Sequence, residues 1–247
     1  MIKLTKKRDI VLILTIATFF VIAFWSIVVY VMFYIVRNEI KLESEFSKIE
    51  YVIETKGVDD SSLDEMLNNY VTNSDYLIVE KAVKNYLKDL IKELKDLREI
   101  MEAEKLIDLL SIENFKNDGK EFDDSLKYIE DTIKKVESIK GNITDLNTKE
   151  NIENYLDKDI NEYFKEYYFE YIRDDNDETF TELNQGLDSY LNFLNKYKMF
   201  FEFMVNNKES WYIQNGQLYF EDETSLDEYN KFFANLNNYE EKVITTI

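Results

Sequence analysis

The sequence contains no cysteine, no histidine and no proline, and only five glycines among 247 residues. Without cysteine there is no disulfide framework, no thiolate metal site and no thiol nucleophile. Without histidine the commonest general base and the commonest transition-metal ligand are missing. Triads built on His or Cys are therefore excluded within this chain. The absence of proline and the scarcity of glycine remove most helix breakers, so long helices are easily sustained. The chain also lacks G-x-S-x-G, S-x-x-K, G-x-x-x-x-G-K-[ST] and G-x-G-x-x-G, and with them the common nucleophile and phosphate-cradle templates.

Basic residues are the other deficit. Thirty Lys and Arg face fifty Asp and Glu, for a formal charge of −20. Nucleic-acid binding needs cations to neutralise phosphates, so that class is not expected. An anionic lipid surface is repelled for the same reason, and the charge serves solvation. With fifty carboxylates, some pair stands at any chosen spacing. A carboxylate-based glycan hydrolase therefore needs a cleft as evidence. No cofactor and no metal are expected. The densest acidic run, Asp174 to Glu182, fails as a calcium loop. With Asp174 first, Thr179 falls where Gly is needed and Gln185 where Glu is needed.

What the sequence does have is one long apolar run. Residues 10–36 carry no charge over 27 positions. At about 1.5 Å per residue they exceed a hydrocarbon core of about 30 Å. Lys3, Lys6, Lys7 and Arg8 precede the run, whereas Arg37 and Lys41 after it are diluted by Glu39, Glu43 and Glu45. This asymmetry predicts a cytoplasmic N-terminus (1–9), a transmembrane helix (10–36) and the remaining chain outside. The run is longer than a signal-peptide core and no A-x-A-like site follows, so an uncleaved anchor is expected. Tyr30 and Tyr34 suit its outer interface.

Beyond the span, Leu42, Phe46, Ile49 and Ile53 predict a helical stalk over 37–57, stopped by Gly57. Its stripe packs on the protein's own ectodomain or, in the alternative, forms a dimer seam. Ser62-Leu63-Asp64-Glu65 is a capping-box pattern that opens a short helix to about Val71. Asn73 or Ser74 then caps a long one bearing Val83, Leu87, Leu90, Leu94, Leu97 and Met101. A further helix carries Phe122, Leu126, Ile129, Ile133 and Val136 and is expected to stop at Gly141. These spacings predict a helical bundle over 58–141 and a second helical region over 142–247. The second region includes helices near 149–156 and 179–205. It also includes an aromatic segment from Ile160 to Ile172, and a last helix capped by Ser225 with Leu226, Tyr229, Phe233, Leu236, Tyr239 and Val243 on one face. The expected fold is all-α: one N-terminal transmembrane helix continuing into an elongated antiparallel helical-bundle ectodomain, with one β-hairpin at about 210–221.

That hairpin is read from Ser210-Trp-Tyr-Ile-Gln-Asn-Gly-Gln-Leu-Tyr-Phe-Glu221. Asn215-Gly216 is the strongest short hairpin signal, since a type I′ turn needs positive φ at both positions. Alternation then gives a face of Trp211, Ile213, Leu218 and Phe220 to be buried. It leaves a second face of Tyr212, Gln214, Gln217 and Tyr219 free to contact a partner. The flanking Phe200, Phe203 and Phe233 are the expected seats for the first face. The layout resembles, in general terms, single-pass anchored helical ectodomains of bacterial cell surfaces. That resemblance implies architecture and a location, not an activity. The expected function is non-enzymatic: a membrane-anchored protein that binds another protein at the membrane or cell surface. The alternatives are a ligand-sensing ectodomain and, further off, the glycan hydrolase.

Overall fold

The computed structural model describes residues 2–101, 105–173 and 176–246, with the side chains of 2–20, 105, 107, 173, 176–178 and 237–246 excepted. The chain is mostly helical with one small antiparallel sheet. In order the elements are α1 (Ile2–Lys56), α2 (Ser61–Asn68), α3 (Asp75–Met101), α4 (Lys105–Leu109), α5 (Ile112–Asp118) and α6 (Asp123–Leu146). They continue with α7 (Lys149–Asn154), α8 (Glu162–Arg173), α9 (Asn176–Asn206), β1 (Trp211–Gln214), β2 (Gln217–Phe220) and α10 (Glu223–Thr246). Two compact units result: residues 1–84 with 158–164, and residues 85–157 with 165–247. The expected division between residues 141 and 142 lies inside the second unit.

In the first unit, α1 is one uninterrupted helix through the apolar run and the stalk. It is long and apolar enough to span a membrane. Its apolar side chains change character along its length. Val21, Ile22, Phe24, Trp25 and Phe33 are all more than half exposed, whereas Leu42, Phe46 and Ile49 are buried. The first group is left largely uncovered, and the second forms the stalk stripe, packed within the chain itself. Val52 joins that stripe as a buried residue while Ile53 stays half-buried. Gly57, at φ 81°, ends the helix with its amide on the Ile53 carbonyl at 3.0 Å. Leu63 and Leu67 of α2 and Tyr76, Val79 and Val83 of α3 complete this core. Burying a Leu or Phe side chain contributes roughly 1.5–3 kcal/mol.

A charged cluster lies within this apolar setting. The Lys84 and Glu80 side chains are 0% exposed. The Lys84 ammonium reaches Glu45 of α1 (2.8 Å), Glu80 one turn back (2.9 Å) and the carbonyls of Met66 (2.8 Å) and Asn69 (2.6 Å). Glu80 in turn accepts from the Val71 amide (3.0 Å), the Thr72 amide (2.9 Å) and the Thr72 hydroxyl (2.7 Å). Burial pushes the Glu80 carboxyl up, but the hydrogen bonds from Thr72, Lys84 and the Val71 amide outweigh it. They hold the group below its ordinary value of 4.5.

The second unit is built on two matched stripes. Ser125, Ile129, Thr132, Val136, Ile139 and Ile143 are the buried residues of α6, in alternating steps of four and three. Leu187, Tyr190, Leu194, Tyr197, Phe201 and Met204 of α9 repeat the same rhythm and are buried too. Such a 3.5-residue repeat keeps one seam facing a neighbouring helix. The two helices run antiparallel, as the pairs Glu121–Lys208 (2.5 Å), Glu130–Lys198 (2.8 Å) and Lys140–Asp188 record. These pairs are solvent-exposed and fix register more than they add stability.

Several local expectations change. The caps of α2 and α10 are not Ser62 and Ser225 but upstream aspartates. Asp60 accepts from the Ser62 amide at 2.9 Å, and Asp222 from the Ser225 amide at 2.8 Å. A carboxylate at a helix start gains from the macrodipole as well as from the hydrogen bond, which a hydroxyl does not. Helix α2 ends at Asn68, short of Val71. Helix α6 runs through Gly141 to Leu146, because glycine inside a helix costs only about 1 kcal/mol and breaks nothing. In α10 the register turns Ser225 inward and leaves Leu226 exposed, while Leu236 is buried. Tyr239 and Val243 lie outside the described side chains. On α3 the buried apolar residues are Tyr76, Val79, Ala82, Val83, Tyr86, Ile91 and Leu97, with Leu87, Leu90 and Leu94 half-buried. In the aromatic segment of α8 the buried residues are Tyr168 and Ile172.

Lys84→Met would leave Glu45 and Glu80 buried without their cation. It is expected to cost about 3–5 kcal/mol, read as lowered thermal stability of the full chain in detergent micelles. Glu80 also sets a pH limit. A carboxyl depressed on folding contributes stability that is complete above its unfolded value and lost as the pH falls through its folded value. Stability is expected to fall on acidification below about pH 4.5, and Glu80→Gln to flatten that limb.

Candidate functional site

The hairpin forms in the expected register. Trp211 pairs with Phe220, Tyr212 with Tyr219, Ile213 with Leu218, and Gln214 with Gln217. Asn215 and Gly216 turn the chain at φ 52° and 77°, the positive pair that a type I′ loop requires. The Glu221 amide bonds to the Ser210 carbonyl at 2.8 Å and extends the ladder by one step.

The two faces separate as alternation dictates. Trp211 is 2% exposed, with Ile213, Leu218 and Phe220 half-buried beside it. Its indole nitrogen donates to the Met204 carbonyl at 2.8 Å, and the Lys120 ammonium stands 5.3 Å above the ring. Part of the seat comes from α5, an element the sequence did not suggest. Phe122 lies 5.7 Å and Phe115 6.4 Å from the Trp211 ring. On the strand opposite, Phe220 meets Tyr229 at 5.1 Å.

Phe122 is held at φ 50°, a left-handed conformation that is costly for a bulky residue. It is fully buried and rings with Phe115 at 5.1 Å and Phe201 at 5.0 Å as well, so packing offsets the strain. Asp118 caps the helix that starts there, accepting from the Asp124 (3.0 Å) and Ser125 (2.9 Å) amides.

The opposite face carries all four residues singled out from sequence: Tyr212, Gln214, Gln217 and Tyr219 are exposed. Tyr212 and Tyr219 are 42% and 38% exposed, stacked at 5.5 Å with an interplanar angle of 16°. The Tyr219 hydroxyl donates to the Gln217 side-chain oxygen at 2.8 Å. The result is a small, ordered patch with apolar ring area and amide groups, whose rings are already fixed before any partner arrives.

A second feature was not visible in the sequence. The second unit contains an open cleft of about 440 Å³ where α3, α6 and α7 meet. Its lining includes the carboxylates Asp89, Glu93 and Asp145 and the amides Asn142, Asn151 and Asn154. Tyr155 closes one side and donates to Asp89 at 2.5 Å, and Asn142 donates to Glu93 at 3.0 Å. Burial, then the bond to Asp89, raises the Tyr155 phenol above its ordinary value, so it stays a proton donor. Lys92 is 3.9 Å from Glu93. A net-negative lining of this kind suits hydroxyl-rich or cationic groups and disfavours anions. No group of three acids able to hold a metal ion occurs among the described residues. The acidic run tried as a calcium loop includes Asp174 and Asp175, which lie outside the described residues. No protein-family model matches the chain, and no curated protein or solved structure matches it either.

The two hairpin faces are expected to differ sharply on substitution. Trp211→Ala removes a buried ring and orphans the Met204 carbonyl, and should cost about 3–5 kcal/mol. Tyr212→Ala loses only an exposed stack and should cost about 1 kcal/mol or less. Thermal unfolding of the two variants side by side checks the contrast.

Proposed function

We propose that the protein is a non-enzymatic, membrane-anchored ectodomain that holds another protein at the cell surface or in an envelope complex. The N-terminal side lies in the cytoplasm and the units after α1 lie outside. The proposed contact is the hairpin face of Tyr212, Gln214, Gln217 and Tyr219. Support for the anchor is the exposed apolar length of α1 and the excess of Lys and Arg on its N-terminal side.

The observation that carries the contact is the stacked Tyr212–Tyr219 pair. It is held outward by a strand whose neighbouring side chain, Trp211, is fully docked. Tyrosine is enriched at interface centres because a rigid amphipathic ring gives contact area at low entropic cost. The packed underside removes most of the ordering cost that a mobile loop would carry into binding. The ligand-sensing alternative draws on the cleft around Tyr155 instead and gives the hairpin no role.

A photo-crosslinking residue at position 212, compared in intact cells with one at Lys134, separates these readings. Lys134 lies on a solvent-facing turn of α6. Position 212 is expected to yield a discrete crosslinked species that position 134 does not. Equal or absent labelling at both would remove the hairpin from the account.

A further inference from the structure

The outer end of the apolar segment is wrapped rather than bare. Tyr34, in the last turn of the uncharged run, donates to the Ser74 hydroxyl at 3.1 Å. Five residues further on, one Glu39 oxygen accepts from two phenols, Tyr76 at 2.9 Å and Tyr163 at 2.8 Å. Lys41 donates to the Val71 carbonyl at 3.1 Å. Two segments distant in sequence, 70–76 and 158–164, are thereby held against α1 between residues 34 and 41.

Helix geometry converts those contacts into a height. The run of 27 uncharged residues is about 40 Å long, against a hydrocarbon core of about 30 Å and a total bilayer of about 40–45 Å. Its last turn, with Tyr34, therefore stands in the headgroup layer. Glu39 lies at most about 7.5 Å further along the axis, where headgroups give way to water. Whatever bonds to these two residues sits at the same level. Tyr163, at 49% exposed, faces outward there, edge-on to the half-buried Phe164 at 5.1 Å, and Tyr70 in the other segment is 42% exposed. Tyrosine concentrates at this depth in membrane proteins because its ring prefers the apolar side and its hydroxyl the wet side. The nearby charges are of both signs, Arg37 and Lys41 with Glu39, Asp75 and Glu162. That mixture suits zwitterionic headgroups, whereas the overall charge of −20 disfavours an anionic surface.

We propose that residues 70–75 and the start of α8, with Tyr163 foremost, rest on the zwitterionic headgroup layer of the bilayer that α1 crosses. The membrane-proximal unit then stands directly on the membrane, without a free stalk between them. This rests on the reading of α1 as a spanning helix, and the test separates the two.

The chain has no cysteine, so single cysteines can carry a nitroxide label without background. Three variants of the full chain in phosphatidylcholine nanodiscs suffice: Phe24→Cys within the run, Glu162→Cys beside Tyr163, and Glu54→Cys on α1. Glu162→Cys leaves the Tyr163–Glu39 bond intact, and residue 54 lies about 27 Å beyond the run along the helix axis. Power saturation with oxygen and with a water-soluble nickel complex reports the depth of each label. The expected result is hydrocarbon depth at 24, full water access at 54, and nickel access at 162 severalfold below that at 54. Hydrocarbon depth at 24 with equal nickel access at 162 and 54 would overturn the docking and leave the span standing. Free nickel access at 24 would overturn both.

Discussion

One buried ammonium organises the first of the two units of this protein. Lys84 is cut off from water, so it must find its partners within the chain, and it takes them from three directions: Glu45 on α1, Glu80 on its own helix, and the last carbonyls of α2 with its exit loop. Glu80, equally buried, spends its remaining acceptor capacity on the amides of Val71 and Thr72. Each group is intelligible only with the others. A lone buried charge costs several kcal/mol, and a complete network repays that cost only when its geometry is right. Such a cluster therefore acts less as a source of stability than as a selector of one arrangement. Since Glu45 stands on the same helix as the apolar run, that arrangement is fixed relative to α1. The loop that Lys84 and Glu80 hold is the one that reaches down to Tyr34 and Lys41.

The second unit is specified differently, by shape. Two helices with matching 3.5-residue stripes form its spine, and an aromatic group of Phe115, Phe122, Phe200, Phe201 and Trp211 closes one end. The hairpin is attached to that end through a single deep ring. This division lets one strand serve two purposes: alternate residues anchor it and present it. The cleft of Asp89, Tyr155 and the three asparagines belongs to the same unit, and its lining is polar and net negative.

How much of this could be read from sequence depended on range. The hairpin was legible to the residue, because Asn215-Gly216 and a period of two are local signals and both edges of the pattern agree. The long apolar helix and the stalk stripe were legible for the same reason. Helix starts were misread twice in one direction: Asp60 and Asp222 each cap from upstream, where a carboxylate does better than the serines favoured by the S-x-x-E pattern. Gly141 looked like a stop because glycine often ends helices, yet nothing there demanded a positive φ. The charge cluster was invisible. Glu80 and Lys84 stand four apart on a helix, the spacing of an ordinary surface pair. Only the fold, by bringing α1 and α2 over them, turns that pair into a buried one. The cleft was hidden likewise, since α3, α6 and α7 contribute to it from residues far apart in sequence.

The claim that the buried cluster holds the first unit together is most directly tested by amide hydrogen exchange at Val71 and Thr72. Comparing the full chain with a Glu80→Ala variant, both amides should lose protection by roughly 10- to 100-fold, while Val83 in the helix behind them loses much less. Unchanged protection at Val71 and Thr72, or an equal loss at all three positions, would contradict it.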